Sequence, residues 1–523
     1  MKNRNLREKI GQMIMTGYPS VEPSPEIISL IEDYKVANII LFSYNLQSIE
    51  QIRQSCSELH QRIERSTGYP GFIAVDQEGG VVTRLPKEAC NVPGAMLIGA
   101  TGKKEYAYQA GRITGEELKA LGINMDLAPV LDVNSNPDNP VIGVRSYSSD
   151  PNLVKEYGVQ MMKGLLSAGT MAVIKHFPGH GDTAVDSHLG LPIVEKTLEE
   201  MLECELVPFQ SAIHQGAPCV MTSHILFPKL EPEKKPATMS KSILTGLLRQ
   251  RLGFEGVIIT DCLEMSAIKN FYGTAEGAVE AVKAGAQLLC ISHTPALVIE
   301  TIHRLEAAVE AGEISMKVID QAVENILRLK EKYKVDYSED TADCIGSAEH
   351  KKRTNEMIRQ GITKVTKKEL PDISTDTVFI GSYAYRSTLA NSAADYGLHF
   401  AKYMSKKLQC RYLDIPVNPD TKEIQEILSE LRNSSYVIYG LYNGHLNQGQ
   451  IALARELHKI DCELLAVALR NPYDLSLLSE DIHKIAAYEY NIPVFEALLQ
   501  IIKKEAAAGG KIPVLAKQEN GTA

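Results

Sequence analysis

Residues 175–188 read KHFPGHGDTAVDSH. Three histidines, two aspartates and a lysine fall within these 14 residues, in a 523-residue chain with 13 histidines in all. The apolar run Ala172-Val173-Ile174 leads directly into the cluster. A buried strand that ends in titratable residues presents chemistry from its C-terminal end. Asp186 and His188 stand two apart, and Pro178, Gly179 and Gly181 argue for a loop. On extended chain, i and i+2 point the same way. An aspartate that holds one imidazole nitrogen fixes the tautomer and raises the imidazolium pKa, leaving the other nitrogen to move a proton. Asp186–His188 is therefore a candidate general acid/base on a glycine-flanked loop. The same residues admit two further readings. One is a metal site built from His176, His180 and His188, which no i, i+4 helical pair supports. The second is a purely structural polar turn.

Other candidates also stand at the ends of apolar runs. Asp261 follows Val257-Ile258-Ile259-Thr260. A carboxylate there serves as nucleophile or electrostatic stabiliser, or as the N-cap of a helix starting near Leu263-Glu264-Met265. Asp76 precedes Gln-Glu-Gly-Gly and is either a ligand group or a turn cap. Arg84, Arg145 and Lys175 have the donors to hold ligand hydroxyls or carbonyls. For Arg84 an ion pair to a loop carboxylate is the competing role.

These residues need elements to position them. Apolar runs at residues 14–17, 37–42, 72–75, 125–129, 172–174, 219–222, 257–260 and 287–291 alternate with helical patterns. Ser24-Pro25 reads as a helix start, and Thr197 with Glu200 as a capping box. Eight such units favour an α/β fold of the (β/α)8 TIM-barrel type. A doubly wound sheet shares the alternation, but it gathers ligands only at its switch point. In a barrel, Asp76, Lys175, His176, His224, Asp261 and His293 all converge on one mouth. The barrel is expected over residues 1–335, as the catalytic domain. A charged linker at 336–375 follows, helical at 355–360. A smaller α/β domain occupies 376–523, with strands at 378–381, 436–442, 464–469 and 486–489.

Composition narrows the function. A net charge of −10 argues against nucleic acid or anionic membrane as partner. The nine cysteines are odd in number and scattered, with no C-x-x-C pair, so neither a zinc site nor a disulfide framework is indicated. There is no 18-residue apolar run and no apolar segment after the basic start, so no membrane span is expected and the reading is cytoplasmic. Oligomeric state is not legible.

The chain resembles the β-N-acetylglucosaminidases of glycoside hydrolase family 3. KHFPGHGDTAVDSH is similar to that subgroup's signature. The likeness extends to AVDQEGG (74–80) with Arg84, DLAPVLDVN (126–134), NPVIGVRSYSSDP (139–151), VMTSH (220–224) and GFEGVIITDCLEM (253–265). VALRNPYDL (467–475), AAYEY (486–490) and GGKIPV (509–514) resemble, more loosely, the α/β sandwich domain of two-domain members. The resemblance implies that Asp261 is the nucleophile and His188 the general acid/base, with Asp186 as its dyad partner. It implies that Asp76, Arg84, Arg145, Lys175 and His176 hold the terminal N-acetylglucosamine of a small carbohydrate substrate, a cell-wall muropeptide or chitin-type oligosaccharide. It further implies retention of configuration, with no metal and no cofactor. A histidine in the acid role repels an incoming anion less than a carboxylate does, so phosphorolysis stays open. A β-glucosidase or β-xylosidase of the same fold stays open as well, as does a non-catalytic sugar-binding protein. Val81 and Gln287 depart from the family pattern, which more often has arginine and aspartate there.

Overall fold

A computed structural model describes residues 4–184, 190–336, 342–392, 395, 397–460 and 462–515. Asp186 and His188 lie outside the described residues. The first sheet has eight parallel strands: β1 (Ile14–Thr16), β2 (Asn38–Leu41), β3 (Phe72–Val75), β4 (Met125–Asp126), β5 (Met171–Phe177), β6 (Cys219–Thr222), β7 (Val257–Ile259) and β8 (Leu289–Cys290). Their order is β7-β6-β5-β4-β3-β2-β1-β8. A parallel bridge between Ile259 and Leu288 joins the two ends and closes the ring. Every strand residue is buried. Strands covered on both faces carry continuous apolar runs rather than alternation, which is why they stand out in the sequence.

The helices between the strands start and stop on local chemistry. The Ser24 side chain accepts from the Ile27 amide and Pro25 takes the first helical position of Pro25–Glu32. Thr197 and Glu200 form the capping box of Leu198–Glu203. Gly285, at φ 122°, ends Thr274–Ala284 in a conformation that side chains avoid. Among the described residues no helix is long and apolar enough to cross a membrane, and no cysteine pair forms a disulfide.

The second sheet has six strands: β9 (Thr363–Lys364), β10 (Thr377–Gly381), β11 (Arg411–Asp414), β12 (Tyr436–Leu441), β13 (Glu463–Ala468) and β14 (His483–Ala486). The order is β11-β10-β12-β13-β14-β9, parallel except for β9 against β14. Three features differ from the sequence expectation. β11 is a polar edge strand with little burial, so no apolar run marks it. The stretch expected to be charged linker contains the helix Ala348–Gly361 and β9. The last parallel strand spans His483–Ala486 and stops before 489, because Tyr488 takes φ 64° and turns the chain out of extended geometry.

The two sheets share packing. Met96, Leu97, Ala100 and Val144, from barrel loops and the helix Ala95–Ala100, belong to the second core, and Met357 belongs to the first. Polar contacts also cross between them. Asn134 Nδ2 donates to Tyr473 Oη at 2.7 Å, and the Gly94 amide donates to Glu489 Oε1 at 2.5 Å. The strand order reverses beside β10, and the chain after β10 runs from that point to the barrel mouth.

Candidate active site

The C-terminal ends of β3, β5 and β7 open into one cavity of about 650 Å³, lined by Asp76, Glu78, Arg84, Arg145, Lys175, His176 and Asp261 among others. Its floor is an ion network. Lys175 Nζ donates to Asp76 Oδ1 at 2.6 Å and lies 2.6 Å from Glu78 Oε1. Arg145 donates through Nε and Nη2 to the two oxygens of Glu78, at 2.9 and 2.8 Å. The Asp76 side chain is 21% exposed, against 2–6% for the other three, so Asp76 is the member open to the cavity. Burial opposes each of these charges, but the pairing outweighs it. The Glu78 carboxyl is held well below the usual carboxylate range by Arg145 and Lys175, and both cations are held above theirs. The carboxylate of Asp76 thus binds lysine rather than capping a turn. The network is a charge-compensated, pre-set surface for hydroxyl groups.

The register of β5 against β6 shifts between Ile174 and Phe177, and Lys175 and His176, joined by a cis peptide bond, occupy that irregularity within the strand. His176 Nδ1 lies 2.6 Å from Asp132 Oδ2, and the His180 amide donates to Asp132 Oδ1 at 2.7 Å. Burial raises the Asp132 pKa, but the two histidines more than reverse it and keep the group ionised. An ionised Asp132 accepts a hydrogen bond from Nδ1–H and leaves His176 Nε2 as the nitrogen turned to the cavity. His180 is a different case. Burial lowers its pKa to about 4, and its Nδ1 pairs with Thr183 Oγ1 at 2.8 Å. Asn139 Nδ2 donates to the His180 carbonyl and to Thr183 Oγ1, tying down the chain just before residue 185. The three-histidine metal set includes His188, outside the described residues.

Asp261 is half-buried at the end of β7. Its Oδ1 accepts from the Cys262 amide at 2.7 Å. The following helix, Ser266–Lys269, has Met265 at its N-cap, so Asp261 does not cap it. His224, at the end of β6, donates from Nε2 to the Cys262 carbonyl at 3.0 Å and pairs through Nδ1 with Thr238. It braces the turn that presents Asp261.

Among the described residues Arg84 forms no ion pair with a carboxylate, although burial, which disfavours its charge, is partly offset by Asp76 and Glu78. Its Nη1 and Nη2 donate to Ser392 Oγ at 3.1 Å and to the Ala390 carbonyl at 2.7 Å. Ser392 also joins the barrel by accepting from the Thr83 amide and donating to the Thr83 carbonyl. Arg386, Leu389, Ala390, Asn391 and Ser392 all line the cavity, so the second sheet supplies part of its wall. Neither departure from the family pattern is a member of the ion network. Val81 packs against the second core and its carbonyl accepts from the Ser392 amide. Gln287 accepts from Arg249 at 2.8 Å.

Sequence reasoning assigns no role to Glu78 or Asp132, and places His224 only at the barrel mouth. Glu78 and Asp132 lie inside two of the motifs, AVDQEGG and DLAPVLDVN. That placement is the only signal, because their partners lie 67 and 44 positions away. The wall from residues 386–392 carries no signal.

A barrel with acidic and basic side chains gathered at the carboxyl ends of its strands is a frame on which an enzyme active site is built. Residues 5–329 match the family model described as Glycosyl hydrolase family 3 N terminal domain, and the chain belongs to that family. It is 36% identical over 365 residues to beta-hexosaminidase A of Pseudoalteromonas piscicida, covering 65% of this chain and 61% of that protein. It therefore spans less than two thirds of that relative's length. It is 34% identical over 289 residues to a beta-hexosaminidase of Xylella fastidiosa (strain 9a5c), covering 54% of this chain and 83% of that one. The structure superposes at a TM-score of 0.90 on a glycoside hydrolase family 3 beta-N-acetylglucosaminidase from Paenibacillus sp. str. FPU-7. That protein is 37% identical, with 98% of this chain and 99% of that chain covered.

Proposed function

We propose that this chain is a retaining exo-β-N-acetylglucosaminidase. It would release terminal β-linked N-acetylglucosamine from cell-wall muropeptides or chitin-type oligosaccharides. The observation that carries this is the shared cavity: Asp261 on one side, and Asp76 backed by Lys175, Glu78 and Arg145 on the other. The names of the relatives agree with it.

In this mechanism Asp76, Arg84 and His176 Nε2 hold the sugar, and Lys175 and Arg145 with Glu78 keep that surface rigid. The Asp261 carboxylate attacks the anomeric carbon while His188 gives its proton to the leaving oxygen. The glycosyl ester on Asp261 is then opened by water, whose proton returns to His188. Two displacements at one carbon retain the configuration. Asp186 orients His188 and stabilises its charged form. These last two roles rest on the residue 175–188 motif.

The odd, scattered cysteines, with no C-x-x-C pair, suit a reducing compartment, and we assign the enzyme to the cytoplasm. One experiment tests the central claim. A panel of nitrophenyl glycosides, run with and without phosphate, should show the N-acetylglucosaminide clearly preferred. A fluorinated N-acetylglucosaminyl donor should leave a covalent adduct on Asp261 by mass spectrometry. An adduct elsewhere, or none together with full activity of Asp261→Ala, overturns the assignment.

A further inference from the structure

Gln77 is buried, and its side-chain amide uses every hydrogen-bonding position inside one loop. Oε1 accepts from the backbone amides of Arg84, at 2.8 Å, and Leu85, at 3.3 Å. Nε2 donates to Thr83 Oγ1 at 2.7 Å and to Asn91 Oδ1 at 3.0 Å. A side-chain amide has two acceptor lone pairs and two N–H donors, so none is left over. The backbone amide of Gln77 donates to Asp126 Oδ1 at 3.0 Å, which ties the end of β3 to the end of β4.

These bonds close the base of a loop whose two ends carry groups that line the cavity. Asp76 stands immediately before Gln77, and Arg84 is the residue whose amide Gln77 holds. The tip of the loop turns at Gly79 and Gly80, with φ of 90° and 56°, and Gly79 and Val82 exchange backbone hydrogen bonds. Arg84 is thus fixed at two points, its backbone by Gln77 and its guanidinium by Ser392 and the Ala390 carbonyl. Asp76 is fixed by Lys175. Among the described residues no ion pair joins Asp76 to Arg84, so the loop between them sets their spacing.

We propose that Gln77 is a positioning residue for the terminal sugar, and that it sets the spacing between the Asp76 carboxylate and the Arg84 guanidinium. Gln77 touches no substrate. It acts through Arg84, whose backbone it holds against the residue next to Asp76. Two groups on one rigid span meet one sugar ring without rearranging, and such a pre-set spacing lowers the cost of binding and aligning the ring. With the base of the loop opened, both groups remain but no longer fit the same ring together. This inference rests on the glycosidase reading and adds to it the residue that fixes the geometry of the sugar-holding pair.

The test is a double-mutant cycle in the full chain. It reads kcat/KM on a nitrophenyl N-acetylglucosaminide and Ki for free N-acetylglucosamine. Gln77→Met keeps the length of the side chain and removes all four of its bonds. It should lower kcat/KM by about a hundredfold, the cost of roughly an ångström of misplacement, and raise Ki with it. Gln77→Glu keeps both acceptors toward the Arg84 and Leu85 amides and should retain more activity than Gln77→Met. In an Arg84→Ala background, Gln77→Met should cost about tenfold less than it does in the wild type. Losses that multiply to within about twofold of the product mark independent sites and overturn the proposal. So do equal losses in Gln77→Met and Gln77→Glu, or wild-type kinetics in Gln77→Met. If Gln77→Met does not fold, Gln77→Glu takes its place in the cycle, with the same non-additivity expected. A wild type that cleaves an aryl glucoside and not the N-acetylglucosaminide overturns the underlying reading instead, and the same cycle run on the glucoside then decides the role of Gln77.

Discussion

Arg145 lays its guanidinium fork across both oxygens of Glu78, and neither side chain is more than 6% exposed. An arginine assigned to the sugar by resemblance thus spends its fork on a carboxylate. Its contribution is to hold Glu78 in place, and Glu78 in turn holds Lys175 against Asp76. The floor of the cavity is set by a chain of paired charges.

Glu78→Gln should break that chain. Removing one partner of a buried pair costs about 3–5 kcal/mol in stability, and misplacing a positioning surface by an ångström costs about a hundredfold in rate. Thermal unfolding should show a clear loss, and kcat/KM on an aryl N-acetylglucosaminide should fall by about that factor. Glu78→Asp, which keeps the charge, should fall between. Wild-type kinetics in Glu78→Gln would count against the network.

His188→Ala should separate substrates by their leaving groups. General acid catalysis contributes about a hundred- to ten-thousandfold when the leaving oxygen needs a proton. Nitrophenolate needs little help, and an alkyl or sugar leaving group needs much. The variant should lose far more activity on a disaccharide than on the nitrophenyl glycoside. Equal losses would remove the acid role.

Ser392→Ala should loosen the second sheet's hold on the mouth. Its hydroxyl accepts from the Thr83 amide at 2.9 Å and from Arg84 Nη1 at 3.1 Å, and it donates to the Thr83 carbonyl. A hydrogen bond is worth about 1 kcal/mol net. We expect KM for a disaccharide to rise several-fold with a smaller change in kcat, read from initial rates. A fall in kcat alone would argue that the loop acts on the chemistry.

Glu489 supplies a pH signature. Its two oxygens accept from the Gly94 amide and from Asn491 Nδ2, yet burial wins and pushes its pKa from 4.5 up to about 7. The folded state therefore holds the proton more tightly than the unfolded chain. That contribution to stability is full below pH 4.5 and is lost as the pH rises through 7. Glu489→Gln cannot ionise and lacks it. The stability of wild type minus variant should fall across this window by on the order of 3 kcal/mol, followed by urea unfolding at stepped pH. A flat difference would show that Glu489 does not titrate there.

The barrel is legible because parallel strands buried on both faces are written as apolar runs, and because each run ends where chemistry begins. β4, only two residues long, reads as longer in sequence because Leu127 and Ala128 continue the apolar run and still bond to the neighbouring strands beyond its assigned end. β9 and β11 leave no such mark because edge strands need no apolar face. The site is legible where a motif is local, as in residues 175–188. It is not legible where function is a pairing across the fold. Glu78 needs Arg145, and Arg84 needs Ser392, 308 positions away. Nothing near either member announces the other. Tyr-Arg-Ser-Thr-Leu-Ala-Asn-Ser at residues 385–392 reads as ordinary turn sequence.

The seam between Thr83 and Ser392, 309 positions apart, also bears on how such a protein changes over generations. The seam depends on two side chains, Ser392 and Arg84, because the groups they meet at Thr83 and Ala390 are backbone and survive replacement of those residues. A chimaera that joins this barrel to a relative's second half would keep Asp261 and the ion network. It would keep the seam only where the relative's half also places a hydroxyl at the Ser392 position.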